Sequence, residues 1–289
     1  MTAAGDVQRI TKDQVFAWAP LAVFLLVAAP TFYRLGVQVW SRDIGAHGPI
    51  VLATGLWLLW RRLPDMTAEA KPGPLLLTIL GIVVSLPIYA FGRAYDVISL
   101  EAAGLYGFAL SLLHDRFGLW TLARNWFPIM YLGLLLPLPG WMIDQFTAPL
   151  KLLVSMLSFG IVEPLGVPIV REGVTMTVGP YQLLVEDACS GLNSLIGLIA
   201  ITLFYIYLAR NASWKYSAIL VAMAIPIAIV ANILRVMVLV NLTYFFGDAV
   251  GQGFLHTTAG LFLFATALAL VFMIDSLMAR IWQRRGGAV

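Results

Sequence analysis

Cys189, Arg235 and His256 are the residues whose types suit acyl transfer. A thiolate is a strong nucleophile, an imidazole moves protons near neutral pH, and a guanidinium stabilises charge on a developing oxyanion. Cys189 is the one cysteine of the sequence, which excludes an intrachain disulfide and a thiolate metal cluster. Neither a His-Glu-x-x-His pair nor a Gly-x-Ser-x-Gly elbow occurs, so zinc and serine hydrolase chemistry have no carrier. No metal and no cofactor is expected. Taken singly, each residue has a plainer account: a thiol as small apolar filler, an arginine snorkelling to the interface, a histidine at a helix start. Their meaning depends on whether the chain brings them to one level.

The elements that would do so are membrane helices. The 289 residues are 61% hydrophobic and 11% charged, with a mean hydropathy of +0.89. Soluble domains run at about 25% charged, so soluble, disordered and nucleic-acid-binding classes are excluded and an all-α polytopic membrane protein remains. A net charge of +3 is too slight to suggest a nucleic-acid partner. Eight stretches approach the roughly 20 apolar residues of a span: 15–33, 46–60, 74–92, 95–113, 118–137, 190–209, 216–246 and 254–279. A further stretch at 145–162 carries Lys151, contains Pro149 and is followed by Pro164; it reads as interfacial or re-entrant. No repeat, low-complexity tract or appended soluble domain interrupts 1–289, so one integral-membrane domain is expected. Arg9 and Lys12 ahead of the first apolar run resemble a secretory signal, but Pro20 and the lack of a small-residue cleavage site favour an uncleaved helix.

Basic residues collect on the cytoplasmic side of short loops. With eight spans and both termini inside, 12 Lys and Arg fall in inner segments and 5 in outer ones, while Arg235 falls within a span. Trp18, Trp57, Trp60, Trp126, Trp214 and Trp282 then lie at inner ends and Trp40 and Trp141 at outer ones. This orientation sets the level of the three residues. Cys189 is at the outer start of the sixth span. Arg235 follows Tyr216 by 19 residues, roughly 28 Å of helix against a hydrocarbon thickness of about 30 Å, so it too is near the outer boundary. His256 opens the eighth span from the outer side. A thiol, a guanidinium and an imidazole on three helices converge at one depth, and ionisable groups in spans tend to be functional.

One segment departs from the helical pattern. In 167–188, Val174, Met176 and Val178 alternate with Thr175 and Thr177, Gly179-Pro180 reads as a turn, and Tyr181 to Val185 as a second strand. A small extracytoplasmic hairpin is expected, leading into Asp187, which either caps the sixth helix or orients Arg235 or His256.

The run Val185-Glu186-Asp187-Ala188-Cys189-Ser190-Gly191-Leu192-Asn193-Ser194-Leu195 resembles the Cys motif of the exosortase/archaeosortase family, V-x-[DE]-A-C-S-G-[LI]-x-S-L. Asn232-Ile233-Leu234-Arg235 is similar to that family's N-x-x-R, and His256 falls where its bacterial members carry a histidine. Trp40 to Arg62, with His47-Gly48, and Leu136-Pro137-Leu138-Pro139 look like further family segments, so the resemblance runs over roughly 35–280. The one departure is Asp187, where Glu is commoner.

The resemblance implies a membrane-embedded cysteine protease or transpeptidase of the cytoplasmic membrane. Its substrates would be C-terminal sorting signals of secreted proteins: a Pro-Glu-Pro type motif, a transmembrane helix and a basic tail. Cys189 would be the nucleophile, Arg235 the oxyanion stabiliser and His256 the proton carrier, with Asp187, Ser190, Gly191 and Asn232 in support. Substrate signals and membrane lipids are the expected partners. The rival classes are a transporter, which inverted repeats would signal, and a non-enzymatic component of exopolysaccharide export, which would not need to keep the thiol. Glu101 is expected to pair with Arg93 or reach the site, His47 to serve folding or an interface, and His114 to be a loop residue.

Overall fold

The computed structural model describes residues 12–42, 45–184, 194–209, 214–257 and 259–284. It is built from α1 (Lys12–Leu35), a π-turn (Gly36–Trp40), α2 (Gly48–Ala68), α3 (Leu75–Ala94), α4 (Ile98–Arg124), α5 (Trp126–Gly133) and α6 (Gly140–Val162). After a 3₁₀ turn come β1 (Ile169–Glu172), β2 (Thr175–Val178) and β3 (Tyr181–Leu184). The chain then continues through α7 (Ser194–Ala209), α8 (Trp214–Phe246), α9 (Asp248–Thr257) and α10 (Ala259–Arg284). Two compact units result. One holds Met1–Gln38 and Trp57–Pro137; the other holds Val39–Leu56 and Leu138–Val289.

In the first unit, α3 and α4 form a close helical hairpin because small residues line their seam. A Cβ on Gly92 would lie 2.2 Å from the Glu101 nitrogen, and one on Gly104 would lie 2.3 Å from the Tyr89 nitrogen. Membrane helices have no hydrophobic drive to associate with each other, so this backbone approach supplies the packing. Ser85 and Ser111 on the same seam return their hydroxyls to the Gly81 and Gly107 carbonyls at 2.6 and 2.9 Å.

The loop end of this hairpin is tied by charge. Glu101 is wholly buried and accepts hydrogen bonds from Thr31 at 2.8 Å, from Arg93 at 2.9 Å and from Arg34, which also pairs with Asp96. Of its two expected roles, Glu101 therefore takes the structural one. Truncating a buried ion-pair partner strands the opposite charge. Glu101→Ala is expected to cost about 3–5 kcal/mol, read as a lower thermal midpoint of the purified chain in detergent; an unchanged midpoint would refute the tie.

Four segments among the described residues are long and apolar enough to cross a bilayer: Ala19–Trp40, Leu75–Ala94, Gly140–Leu165 and Ala218–Phe246. On α1 and α3 the outward side chains are themselves apolar, with Leu26 78% and Leu76 77% exposed, a surface that requires lipid. The expected spans 46–60, 95–113, 190–209 and 254–279 correspond to helices α2, α4, α7 and α10, but these are not among the four. The count of eight is accordingly not reproduced.

Two segments differ from expectation. The stretch 118–137 is not one helix. Gly118 adopts φ 73°, ψ 162°, which only glycine takes readily, and the Lys71 carbonyl lies 2.1 Å from where its Cβ would be. A second break follows at Asn125, α5 lasts only 8 residues, and Pro137 and Pro139 prevent its continuation. Conversely, the 145–162 stretch belongs to a continuous 23-residue helix that starts at Gly140 and keeps Pro149 inside it. Proline within an apolar helix is tolerated where neighbours re-satisfy the freed carbonyl.

The second unit contains the expected hairpin. β2 and β3 pair antiparallel with Val178 opposite Tyr181, turning at Gly179 with φ 56°. A further strand, β1, pairs with β2 through a turn at Gly173, so the sheet has three strands in the order β1-β2-β3. The hairpin was legible from its alternation; β1 was not.

Candidate active site

Asp187, Cys189, Ser190 and Gly191 lie outside the described residues. What the structure does define is how the segment carrying them is held at each end. Upstream it leaves β3 at Leu184; downstream it enters α7 at Ser194.

The upstream anchor is the buried face of the sheet. Ile169, Met176, Val178 and Leu183 pack in one cluster with Val154 and Val162 of α6 and with Val236, Leu239 and Val240 of α8. The alternation read from the sequence is the cause, since Met176 and Val178 point inward together. Ser155 of α6 adds a hydrogen bond to the Gly173 carbonyl at 2.9 Å. The downstream anchor is α7, whose Leu198 packs with Ala224, Ile227, Ala228 and Ala231 of α8 and with Ala267 and Val271 of α10. Both anchors thus use α8: the sheet cluster takes Val236, Leu239 and Val240, with Ile229, Ile233 and Met237 packed against it, and the α7 cluster takes Ala224 to Ala231. Arg235 lies in the stretch of α8 that the sheet cluster covers.

Arg235 is 2% exposed, deep for a guanidinium, and does not reach outward as a snorkelling side chain would. One turn earlier, Asn232 is 0% exposed and neither of its amide atoms has a hydrogen-bond partner among the described residues. A buried polar group left unsatisfied costs about 1–3 kcal/mol, and such groups concentrate where function needs them. Thr243, also wholly buried, extends the same polar stripe two turns on.

Helix α8 ends at a turn where Gly247 takes φ 87°, and α9 packs back against it. Gly251 of α9 sits so close to Thr243 that a Cβ would meet its Oγ1 at 2.2 Å. His256 lies in α9, and α10 is described from Ala259 onward.

At the other end of α8, sequence reasoning missed Asp275. This carboxylate of α10 is 2% exposed and accepts from Tyr205 of α7 at 2.8 Å and from Tyr216 of α8 at 2.6 Å. One acid inside an apolar run was the available signal. It clamps α7, α8 and α10 together at the end remote from Arg235. His114, expected in a loop, is instead part of α4, where its Nδ1 is 3.1 Å from the Thr78 hydroxyl.

The family model described as transmembrane exosortase (Exosortase_EpsH) matches residues 39–273. The chain belongs to the exosortase family. The match takes in the Cys189 segment, Arg235 and His256, together with His47. No curated protein and no solved structure matches the chain. As an exosortase it is a multi-pass membrane protein of a family that is generally protease or transpeptidase.

Proposed function

We propose that this exosortase cleaves the C-terminal sorting signals of secreted proteins at the outer face of the cytoplasmic membrane, with Cys189 as nucleophile. The reading is supported chiefly by the placement of Arg235: buried in α8, the helix on which both flanks of the Cys189 segment pack. Nine residues join those flanks, and Cys189 is among them.

In the first step the Cys189 thiol proton passes to the His256 imidazole, the sulfur bonds to the scissile carbonyl carbon, and the charge on the carbonyl oxygen is met by Arg235 and by the Asn232 amide N–H. Ser190 and Gly191, next to Cys189 in the sequence, are proposed to add backbone N–H donors. The C–N bond then breaks, His256 gives a proton to the leaving amine, and the substrate remains as a thioester. In the second step an acceptor bearing an O–H or N–H attacks that thioester, its proton passes to His256, and the thiol is released. Both termini are cytoplasmic in this arrangement, and a substrate helix beside the site presents its peptide bond just outside the bilayer.

Mass spectrometry of a co-expressed protein with a Pro-Glu-Pro type signal tests the reading. A new C-terminus beside the motif is expected, and its mass identifies the acceptor. A substrate recovered at full length, with its transmembrane helix attached, would overturn it.

A further inference from the structure

The end of the α3–α4 hairpin remote from Glu101 holds a cavity of about 620 Å³, enclosed by α3, α4 and α5 of the first unit. Small-molecule sites run from about 300 to about 1,000 Å³. Leu77 of α3, Leu110 and Leu122 of α4, and Ile129 and Met130 of α5 make its walls mostly apolar. It lies where α4 breaks at Gly118 and gives way to α5 at Asn125. Leu119 and Trp126 line it and are also exposed, so it opens on the outer surface of the unit. Exposed Leu76 and Trp120 continue that surface. An apolar surface edged by indole rings belongs against lipid near headgroup level.

Tyr106, Ser111 and His114 share the wall. The Tyr106 hydroxyl donates to the Ile129 carbonyl at 2.6 Å and the Ser111 hydroxyl to the Gly107 carbonyl at 2.9 Å, so both are engaged. The imidazole is only half engaged. Its Nδ1 is 3.1 Å from the Thr78 hydroxyl, while its Nε2 is buried with no partner among the described residues. When Thr78 donates to Nδ1, the ring proton is on Nε2, which then needs an acceptor. A buried donor without one is costly, so an occupant that brings an oxygen is favoured.

The rim is basic. Chain 71–73 runs along the end of α4, with Lys71 N–H donating to the Phe117 carbonyl at 3.4 Å and Gly73 N–H to the His114 carbonyl at 3.2 Å. A Cβ on Gly73 would fall 2.3 Å from the His114 ring, so only glycine lets the chain pass this close. Lys71 thereby comes beside Phe117, the neighbour of Arg116, and both cations are exposed. Over 61–71 and 115–124 five cations face three carboxylates, and one of those, Glu69, is taken by Arg124 at 2.9 Å.

We propose that this cavity binds one anionic phospholipid from the surrounding leaflet. An acyl chain enters between Leu77, Leu110 and Ile129, an ester carbonyl oxygen accepts from the His114 Nε2–H, and Lys71 and Arg116 meet the phosphate. Basic pockets between membrane helices take anionic headgroups in this way. A transmembrane helix, about 10 Å across and about 30 Å long, is several times too large, so the occupant is a single lipid and not another span. The bound lipid joins α5 to the α3–α4 hairpin where α4 has lost its continuity.

Native mass spectrometry of the purified full chain, stripped of lipid in a neutral detergent and titrated with dioleoyl phosphatidylglycerol, tests this. One molecule is expected to stay bound, about thirtyfold more tightly than dioleoyl phosphatidylcholine, from two basic side chains worth about fivefold each. Lys71→Gln combined with Arg116→Gln is expected to bring the two lipids to equal affinity. His114→Phe is expected to weaken both about fivefold, the worth of one hydrogen bond. Leu110→Trp fills the cavity and is expected to abolish retention of either. Equal binding of the two lipids by the wild type, or wild-type retention by Leu110→Trp, would overturn the proposal. Glycerophosphoglycerol, which has the headgroup without acyl chains, is expected not to compete; competition at the lipid's own concentration would mean a free-phosphate site and also overturn it. Should Leu110→Trp lose its thermal transition, photolabelling of the wild type decides. Phosphatidylglycerol with a diazirine on its acyl chain is expected to label peptides within 106–130 and to be displaced by the unlabelled lipid, and label confined to other peptides would refute the site.

Discussion

Cys189→Ala and Cys189→Ser will each leave a co-expressed sorting-signal protein at full length. The expected fall in processing rate is at least about 10⁴-fold, as for removal of a nucleophile that works as one unit with its base and oxyanion site. Serine is the sharper variant. It is close in size to cysteine, so the fold is kept, but a hydroxyl is far harder to ionise, and surroundings suited to a thiolate do not make it nucleophilic. The chain has no second thiol to substitute. Substrate length on an immunoblot is the readout, with the variant's own thermal midpoint as control. Normal processing by both variants would remove Cys189 from the chemistry and with it the proposed mechanism.

Arg235→Lys should lower processing by about 10²–10³-fold, the usual consequence of removing one oxyanion donor. Lysine keeps the charge but loses the planar fork that meets an oxygen with paired N–H groups. The burial of Arg235 raises the question of a structural role, which Arg235→Met answers. Methionine keeps the length of the side chain without its charge, and removing a buried charge lowers stability where it strands a partner. A methionine variant that melts at or above the wild-type midpoint yet processes nothing would separate chemistry from folding. A lysine variant at full rate would remove the planar-fork argument.

How far the sequence carried can be seen element by element. The β2–β3 hairpin was readable because alternation and a Gly-Pro turn are local signals. Strand β1 was not: Ile169–Glu172 has one buried residue and acquires its place only by pairing with β2. Hydropathy treated 118–137 as one span because a sliding window sums side chains and does not register the backbone bend at Gly118. Arg235 was legible from its chemistry and its distance along a helix. The approach of His47 to Gly197 was not, since only the fold carries it across 150 residues of sequence.

Helix α8 has 33 residues, a length of about 50 Å where the hydrocarbon core measures about 30 Å. Such a rod must lean, stand proud of the membrane or thicken the lipid around it. Arg235 is fixed on that rod, and the sheet that leads to Cys189 is packed on its next turn. Under the proposed function, the depth at which a peptide bond meets Arg235 is therefore set jointly by protein and bilayer. Two membranes of different acyl-chain length would present the same substrate at different heights, making lipid thickness a control on which bond is cut.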